Sequence, residues 1–452
     1  MNDKLIEIEI TDLAYDGKAV GHKNGKVVFL KGGLPGETVL AEVIKSKPRY
    51  DTAIVKEITQ KSHFRVPTVC SHFTYCGGCT WQDLDYSAQL IFKKKQVVDC
   101  MERIGGLPNI KIFDVIGSQE IFGYRNKMEF SFNVDATKEG FTLGLHHRGS
   151  FYDIFNLKKC YLTPDITSEI VRWMQSFVKE ENIPVYDVKN HTGYMRFLMI
   201  RQAKNTPDLM VNIVTNYGEL PVKEKLINNM TKAFPSITTI VHNQNGQKSN
   251  IAIGEKETIL WGQGFIEERL FDSIFRIRTN SFFQTNSLQA ETLYQTGFEM
   301  LNPQENDRVL DLYCGTGTIG ILLAPRVKEV IGVELVADAI KAAQENASLN
   351  KTSNISFYEG HVKDFLKNKN TAQDYFNVVI IDPPRAGLHP KALKQLLILK
   401  PEKILYISCN PATFARDAKR IIDEGYQLPE IKPVDMFPHT MHIELAAVFH
   451  RL

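Results

Sequence analysis

Hydrophobic and polar positions change rhythm along this chain, and the changes divide it into three regions. Near the start Ile6, Ile8 and Ile10 alternate with Glu7 and Glu9, the period-two pattern of a strand with one buried face. Apolar runs follow at 27–30, 38–44 and 52–58, separated by Gly17, Gly21, Gly25, Gly32, Gly33 and the Pro35-Gly36 pair. Five short strands at this spacing predict an OB-like β-barrel over residues 1–60, a shape often used to bind nucleic acid. Residues 61–270 carry a weaker pattern. A cysteine-rich loop at 70–79, a helix over 85–105 and strands such as 127–134 and 209–216 predict a central α+β domain.

From 271 to 452 strands and helices alternate. RVLDLY (308–313), a glycine loop, EVIGVEL (329–335), a helix over 337–349, NVVIID (377–382), KILYISC (403–409) and a helix over 412–424 come in that order. This alternation predicts a doubly wound, Rossmann-like α/β domain with helices on both faces of a parallel sheet. YQLPEIKPVDMF and HIELAAVFH predict a closing hairpin, and Asn286 with Gln289 predicts a capping box at the helix before the first of these strands. The fold class is therefore multidomain, β followed by α+β and α/β.

Composition changes this picture little, with 43% hydrophobic and 23% charged residues. No apolar run has the length of a membrane span and MNDKLIEIEI does not read as a signal peptide, so a cytoplasmic, monomeric protein is expected. A formal net charge of +2 means that an RNA partner must be held by local basic patches. Seven cysteines in a reducing compartment are read as ligands, nucleophiles or packing residues. Cys100 and Cys314 are assigned to packing.

DLYCGTGTIG (311–320) joins an apolar strand to an apolar helix, and Gly315 and Gly317 let the backbone approach a ligand closely. Glu334 ends the next strand, where an acidic side chain suits the two hydroxyls of a ribose. DPPR (382–385) follows another strand, and its prolines stiffen the loop that aims Asp382. Together these features fit the two ends of S-adenosylmethionine; a dinucleotide site would more usually read G-x-G-x-x-G.

Cys409 lies at the end of KILYISC, and Asn410-Pro411 turns the chain directly after it. A thiolate there suits a uracil acceptor, because addition to carbon 6 makes carbon 5 nucleophilic enough to take a methyl group. A base must then remove the carbon 5 proton, and Glu444, a lone carboxylate in an apolar strand, is the candidate. Cys70, Cys76 and Cys79 form a C-x5-C-x2-C loop with Cys160 as the natural fourth ligand. Such a set suits zinc or an iron–sulfur cluster, and His72 could replace one thiolate.

DLYCGTGTIG, DPPRAG, YISCNPATFARD and HIELAAVF, in this order, resemble the bacterial RNA uracil-5-methyltransferases. The resemblance runs over essentially the whole chain, with residues 3–60 similar to that family's TRAM domain. It implies Cys409 as nucleophile and Glu444 as proton acceptor. It implies Gln284, Tyr313, Glu334 and Asp382 as contacts of S-adenosyl-L-methionine, and a 4Fe-4S cluster on the four cysteines. Family members with both a TRAM domain and a cluster tend to act on large-subunit RNA, so 23S rRNA is the expected partner and transfer RNA the alternative.

Arg125, Asn126, Lys127, Arg148, Arg196 and Arg201 are candidate RNA contacts, with Tyr124 and Tyr194 as stacking partners for extruded bases. Two rival functions make different demands. Methylation of an exocyclic amine needs no cysteine and more often places an aromatic residue where Arg385 stands. An RNA chaperone or redox sensor would use the barrel and the cysteine loop with a degenerate methyltransferase domain, against which the intact glycine loop, Cys409 and Glu444 argue.

Overall fold

A computed structural model describes residues 5–134, 140–248, 251–367 and 375–452. The strands Leu5–Leu13, Ala19–Lys23, Lys26–Lys31, Thr38–Ser46 and Tyr50–Gln60 close into a barrel. Alternation in the first strand does what its sequence demands: Ile8 and Ile10 are buried while Glu7 and Glu9 face solvent. The barrel core continues into Trp81, Leu84, Ala88 and Phe92, which lie outside the barrel sequence. The last two belong to the helix Tyr86–Cys100, capped by Asp85, whose Oδ1 accepts from the Ser87 amide at 3.0 Å. The same helix carries Val97 and Cys100 into the core of the C-terminal sheet, so one helix ties barrel to sheet. Its final turn, Met101–Gly105, is π-helical and ends at Gly106 with φ 63°.

The central region is a seven-stranded sheet ordered Lys256–Trp261, Thr239–Gln244, Leu209–Thr215, Met195–Gln202, Lys127–Val134, Phe141–His146 and Ile154–Asn156. Helices Asp165–Glu180 and Lys223–Ala233 pack on it through Ile170, Met174, Leu226 and Met230. The C-terminal domain is Rossmann-like. Its strands run in the order Ile355–Glu359, Glu329–Glu334, Arg308–Leu312, Val378–Ile381, Lys403–Ser408, Glu444–Arg451 and Glu430–Val434. The first five are parallel, while Glu444–Arg451 is antiparallel to both of its long neighbours, which realises the closing hairpin. Lys111–Ile112, from the middle of the chain, adds a short strand beyond Glu430–Val434.

Asn286 caps the helix Ser287–Leu301, its Oδ1 accepting from the Gln289 amide at 3.2 Å. The capping box is only half formed. The Gln289 side chain donates to the carbonyls of Ile116 and Gly117 instead of reaching back. Among the described residues no helix is long and apolar enough to cross a membrane.

Candidate active site

Sheet direction alone brings the candidate residues together. Leu312, Glu334, Ile381 and Ser408 end parallel strands at one rim, so Tyr313, Asp382 and Cys409 follow at the same edge. The antiparallel strand begins there with Glu444, and the pairing of Ser408 with Leu445 sets Cys409 and Glu444 at neighbouring strand ends. A cavity of about 1730 Å³ opens over this rim, lined by Gln284, Tyr313, Gly315, Glu334, Asp382, Arg385, Cys409, His442 and Glu444. That exceeds the roughly 300–1,000 Å³ of ordinary small-molecule sites, leaving room for a cofactor together with an extruded nucleotide.

The glycine loop explains its own composition. Gly317 has φ 77°, and a Cβ there would stand 2.9 Å from Phe357 and 3.1 Å from Ala343, so a larger residue would be strained and crowded. Tyr313 holds a positive φ of 65°, a strained conformation for a non-glycine residue at the loop entry. Glu334 Oε1 accepts from the amides of Leu335 and Val336 at 2.7 and 2.9 Å, and its Oε2 from Gly315 at 3.2 Å. One carboxylate therefore fixes both the glycine loop and the following turn. Gln284 is hydrogen-bonded to the buried Tyr294, and its carbonyl accepts from Asn126 Nδ2 at 3.0 Å. Carboxylates at Glu334 and Asp382 with the Gln284 amide suit a diol and a cationic group, and would repel a pyrophosphate.

Burial dominates the electrostatics. Asp382 is pushed up to about 7 by desolvation. Desolvation, then Asp382, holds Glu444 well above the ordinary carboxylate range, with Arg385 opposing. Burial followed by Glu444 and Asp382 raises the Cys409 thiol to about 11, again against Arg385. His442 is lowered to about 4 by burial and then by Arg385, whose Nη2 lies 3.4 Å from its Nε2. Cys409 is held by its own turn. Asn410 caps the helix Pro411–Asp423, accepting from Ala412 at 3.0 Å, while its Nδ2 donates to the Arg385 carbonyl at 2.9 Å. The DPPR loop and the Cys409–Pro411 turn are thus one hydrogen-bonded unit.

The loop before Glu444 is clamped from behind. Lys93, fully buried, donates to Asp435 at 2.6 Å and to the Phe437 carbonyl at 3.1 Å. Gln89 accepts from the His439 amide at 2.8 Å, and the Thr80 and Trp81 amides donate to the His439 carbonyl. Thr80 directly follows Cys79, so the cysteine-rich loop and the Glu444 loop also share hydrogen bonds.

Cys76, Cys79 and Cys160 are raised first by burial and then by neighbouring thiols, which brings them and Cys70 into one electrostatic group. Gly78 N donates to Cys76 Sγ at 3.3 Å, and Arg148 braces the loop through the Cys79 carbonyl at 2.6 Å. Among the described residues no group of three or more His, Cys, Asp or Glu is gathered tightly enough for a single metal ion. Thiolates around one zinc would stand about 3.8 Å apart, and a four-iron cluster needs a wider ring. His72 is buried, its Nδ1 lying 3.8 Å from Cys70 Sγ.

Several expected RNA contacts fall elsewhere. Arg196 and Arg201 are each only 2% exposed. Arg196 Nη1 bonds Asn245 Oδ1 at 3.1 Å, and Arg201 Nη2 bonds the Ser281 carbonyl at 3.0 Å. Both lie in a central strand where every residue but the last is buried, and Arg201 keeps its Nε and Nη1 buried without a hydrogen-bond partner. Tyr124 is fully buried with its hydroxyl on the Pro438 carbonyl, and Asn126 is a buried brace for Gln284. Arg125 does line the cavity. Lys127 is half-buried and paired with Glu129, Arg148 holds the cysteine loop, and Tyr194 donates to the Gly218 carbonyl. Phe282, which the sequence reading passed over, lines the cavity and is 69% exposed. An apolar ring so exposed at a cavity wall is a signal that only the surface reveals.

Residues 222–452 match the tRNA (Uracil-5-)-methyltransferase family and residues 1–56 the TRAM domain family. An uncharacterized RNA methyltransferase of Caldanaerobacter subterraneus is 39% identical over 99% of both chains. Another, from Chlorobaculum tepidum, is 40% identical over 99% of this chain and 96% of its own. The crystal structure of Pyrococcus abyssi tRNA (uracil-54, C5)-methyltransferase in complex with S-adenosyl-L-homocysteine is similar across 98% of this chain and 99% of that one, with a TM-score of 0.79 and 34% identity. With its N-terminal TRAM domain, the chain belongs to the RNA uracil-5-methyltransferase family.

Proposed function

We propose that this protein, acting as a monomer, methylates carbon 5 of a uridine in RNA. Cys409 is the covalent nucleophile and Glu444 the base. The observation that carries the reading is a thiol and a buried carboxylate at neighbouring strand ends, facing one cavity with Gln284, Glu334 and Asp382. S-adenosylmethionine, when bound, supplies the methyl group. Glu334 would hold its ribose, Asp382 and Gln284 its other polar groups, and Tyr313 would wall the site.

The Cys409 thiolate forms a bond to carbon 6, and the ring's electron pair moves to carbon 5, which takes the methyl group. Glu444 then removes the carbon 5 proton, the carbon–sulfur bond breaks and the thiolate leaves. The net change replaces hydrogen by methyl and releases one proton. A carboxylate raised by burial is a stronger base than one in water, which suits this last step. Phe282 offers the extruded uracil a stacking face and Arg125 a cation at the cavity wall.

The barrel (1–60) and the central region (61–270) would bind RNA, and residues 271–452 would carry the chemistry. Cys70, Cys76, Cys79 and Cys160 would hold a 4Fe-4S cluster that braces the central region. No electron transfer enters the reaction, so its role is structural. The substrate best supported is a transfer RNA. The Pyrococcus tRNA enzyme matches nearly all of this chain, barrel region included, so the barrel does not by itself point to 23S rRNA. The test is methyl transfer from labelled S-adenosylmethionine to tRNA and 23S rRNA transcripts, with nuclease digestion and mass spectrometry. Methyl on a tRNA uridine is expected; 5-methyluridine in 23S rRNA alone would overturn the tRNA assignment, and methyl on an exocyclic amine the chemistry.

A further inference from the structure

The barrel does more than lie beside the catalytic domain. Its first turn, between the strands Leu5–Leu13 and Ala19–Lys23, is closed by Ala14 donating to the Lys18 carbonyl and Gly17 to the Ala14 carbonyl, at 2.7 and 2.8 Å. From this turn the Tyr15 hydroxyl donates to Asn410 Oδ1 at 2.8 Å. Asn410 directly follows Cys409, and the same Oδ1 caps the helix that ends the nucleophile's loop. The turn also abuts the two other loops of the site. A Cβ on Gly17 would stand 2.7 Å from Thr80 Cγ2 and 3.1 Å from Met441 Sδ. Thr80 follows Cys79, and Met441 lies in the loop that leads to Glu444. Nearby, Lys95 of the interdomain helix donates to Asp12 Oδ2 at 2.6 Å, which anchors the turn to that helix.

We propose that Tyr15 is a positioning residue for the nucleophile, so that the barrel completes the active site through its first turn. The proposal rests on the reading of Cys409 as nucleophile. Its physical basis is that Asn410 has three jobs: it caps a helix, donates to the Arg385 carbonyl and accepts from Tyr15. Two of these fix its side chain from the catalytic domain, and the third fixes it from the barrel. Tyr15 is 40% exposed, yet burial of its hydroxyl raises it to about 12, so it remains a donor across the working pH range. Without that bond the Cys409–Pro411 turn keeps its helix cap but loses its outer restraint. The thiol then spends less time aligned with carbon 6.

The experiment compares the full-length protein with Tyr15→Phe, which removes only the hydroxyl, and with Asn410→Ala in both backgrounds. One net hydrogen bond corresponds to about a fivefold change. Two readouts are used: kcat and KM on whichever transcript accepts methyl, and iodoacetamide alkylation of Cys409 without RNA, followed by peptide mass spectrometry. Tyr15→Phe is expected to lower kcat about fivefold with KM for RNA unchanged, to alter the alkylation rate, and to add no further loss once Asn410 is alanine. An unchanged kcat, a loss confined to KM, or losses that simply add would overturn the proposal. If Cys409→Ala, with Tyr15 intact, still transfers methyl, the nucleophile reading fails. The alkylation comparison then still decides whether Tyr15 governs the Cys409 thiol.

Discussion

Cys409 should be a sluggish thiol in the free protein, and the amount can be worked out. Its burial, with Glu444 and Asp382 beside it, raises it to about 11. At pH 8 the gap is 11 − 8, three units, so about one thiol in a thousand is ionised, a difference of about 4 kcal/mol. The thiolate is the reactive form, so alkylation by iodoacetamide should rise about tenfold per pH unit from 8 to 10. An ordinary cysteine would level off near its usual value of about 8.5. Two substitutions give the sign. Asp382→Asn removes a negative neighbour and should speed alkylation at pH 8, whereas Arg385→Gln removes the opposing cation and should slow it. The assay follows the Cys409 peptide by mass spectrometry, since the other six cysteines of the chain would blur a bulk measurement. A plateau below pH 9, or faster alkylation in Arg385→Gln, would refute the electrostatic reasoning.

Three further outcomes are expected. Glu334→Ala should weaken S-adenosylmethionine binding about 100-fold in calorimetry, the value of about 3 kcal/mol for charged hydrogen bonds, and unchanged affinity would free this carboxylate from the ribose. Lys93→Met leaves Asp435 buried without its cation and should cost about 3–5 kcal/mol in chemical denaturation; a loss under about 1 kcal/mol would mean that Asp435 is not held by this pair. Anaerobically purified protein should be brown and carry iron and sulfide, both lost when Cys79 is replaced by serine, whereas one zinc and no iron per chain would exclude the cluster.

The C-terminal half was legible because its pattern is strong. Alternating apolar strands and helices fix strand direction, and direction places Tyr313, Glu334, Asp382 and Cys409 at one rim without further information. The barrel was legible from Ile8 and Ile10 for the same reason. Arg196 and Arg201 are buried where exposed contacts were expected, because charge in a sequence says nothing of burial. Both sit in MRFLMIRQ, an almost wholly buried central strand, where the Asn245 carbonyl takes one hydrogen bond of Arg196 and the Ser281 carbonyl one of Arg201. Phe282 and Tyr15 were invisible for the opposite reason. Each is an unremarked aromatic in a loop, and only the folded chain sets one on the cavity wall and the other 2.8 Å from Asn410, 395 positions away in sequence. The helix Tyr86–Cys100 also shows what periodicity misses: three of its sides are used, against the barrel, the C-terminal sheet and the Glu444 loop.

The central claim is a covalent bond between Cys409 and carbon 6, released by Glu444, and a denaturing gel tests it most directly. Labelled RNA and S-adenosylmethionine are incubated with the unsubstituted protein, Cys409→Ala and Glu444→Gln, then run under conditions that break every non-covalent complex. Glu444→Gln should accumulate a protein–RNA band carrying the transferred methyl group, because transfer proceeds while elimination stalls. The unsubstituted protein should be trapped in the same way by RNA with 5-fluorouridine at the target, since no base can abstract fluorine as a cation. Cys409→Ala should give neither band nor methyl transfer. Full methylation by Cys409→Ala would contradict the account outright, and loss of activity in Glu444→Gln without an adduct would keep the nucleophile and assign the base to another residue.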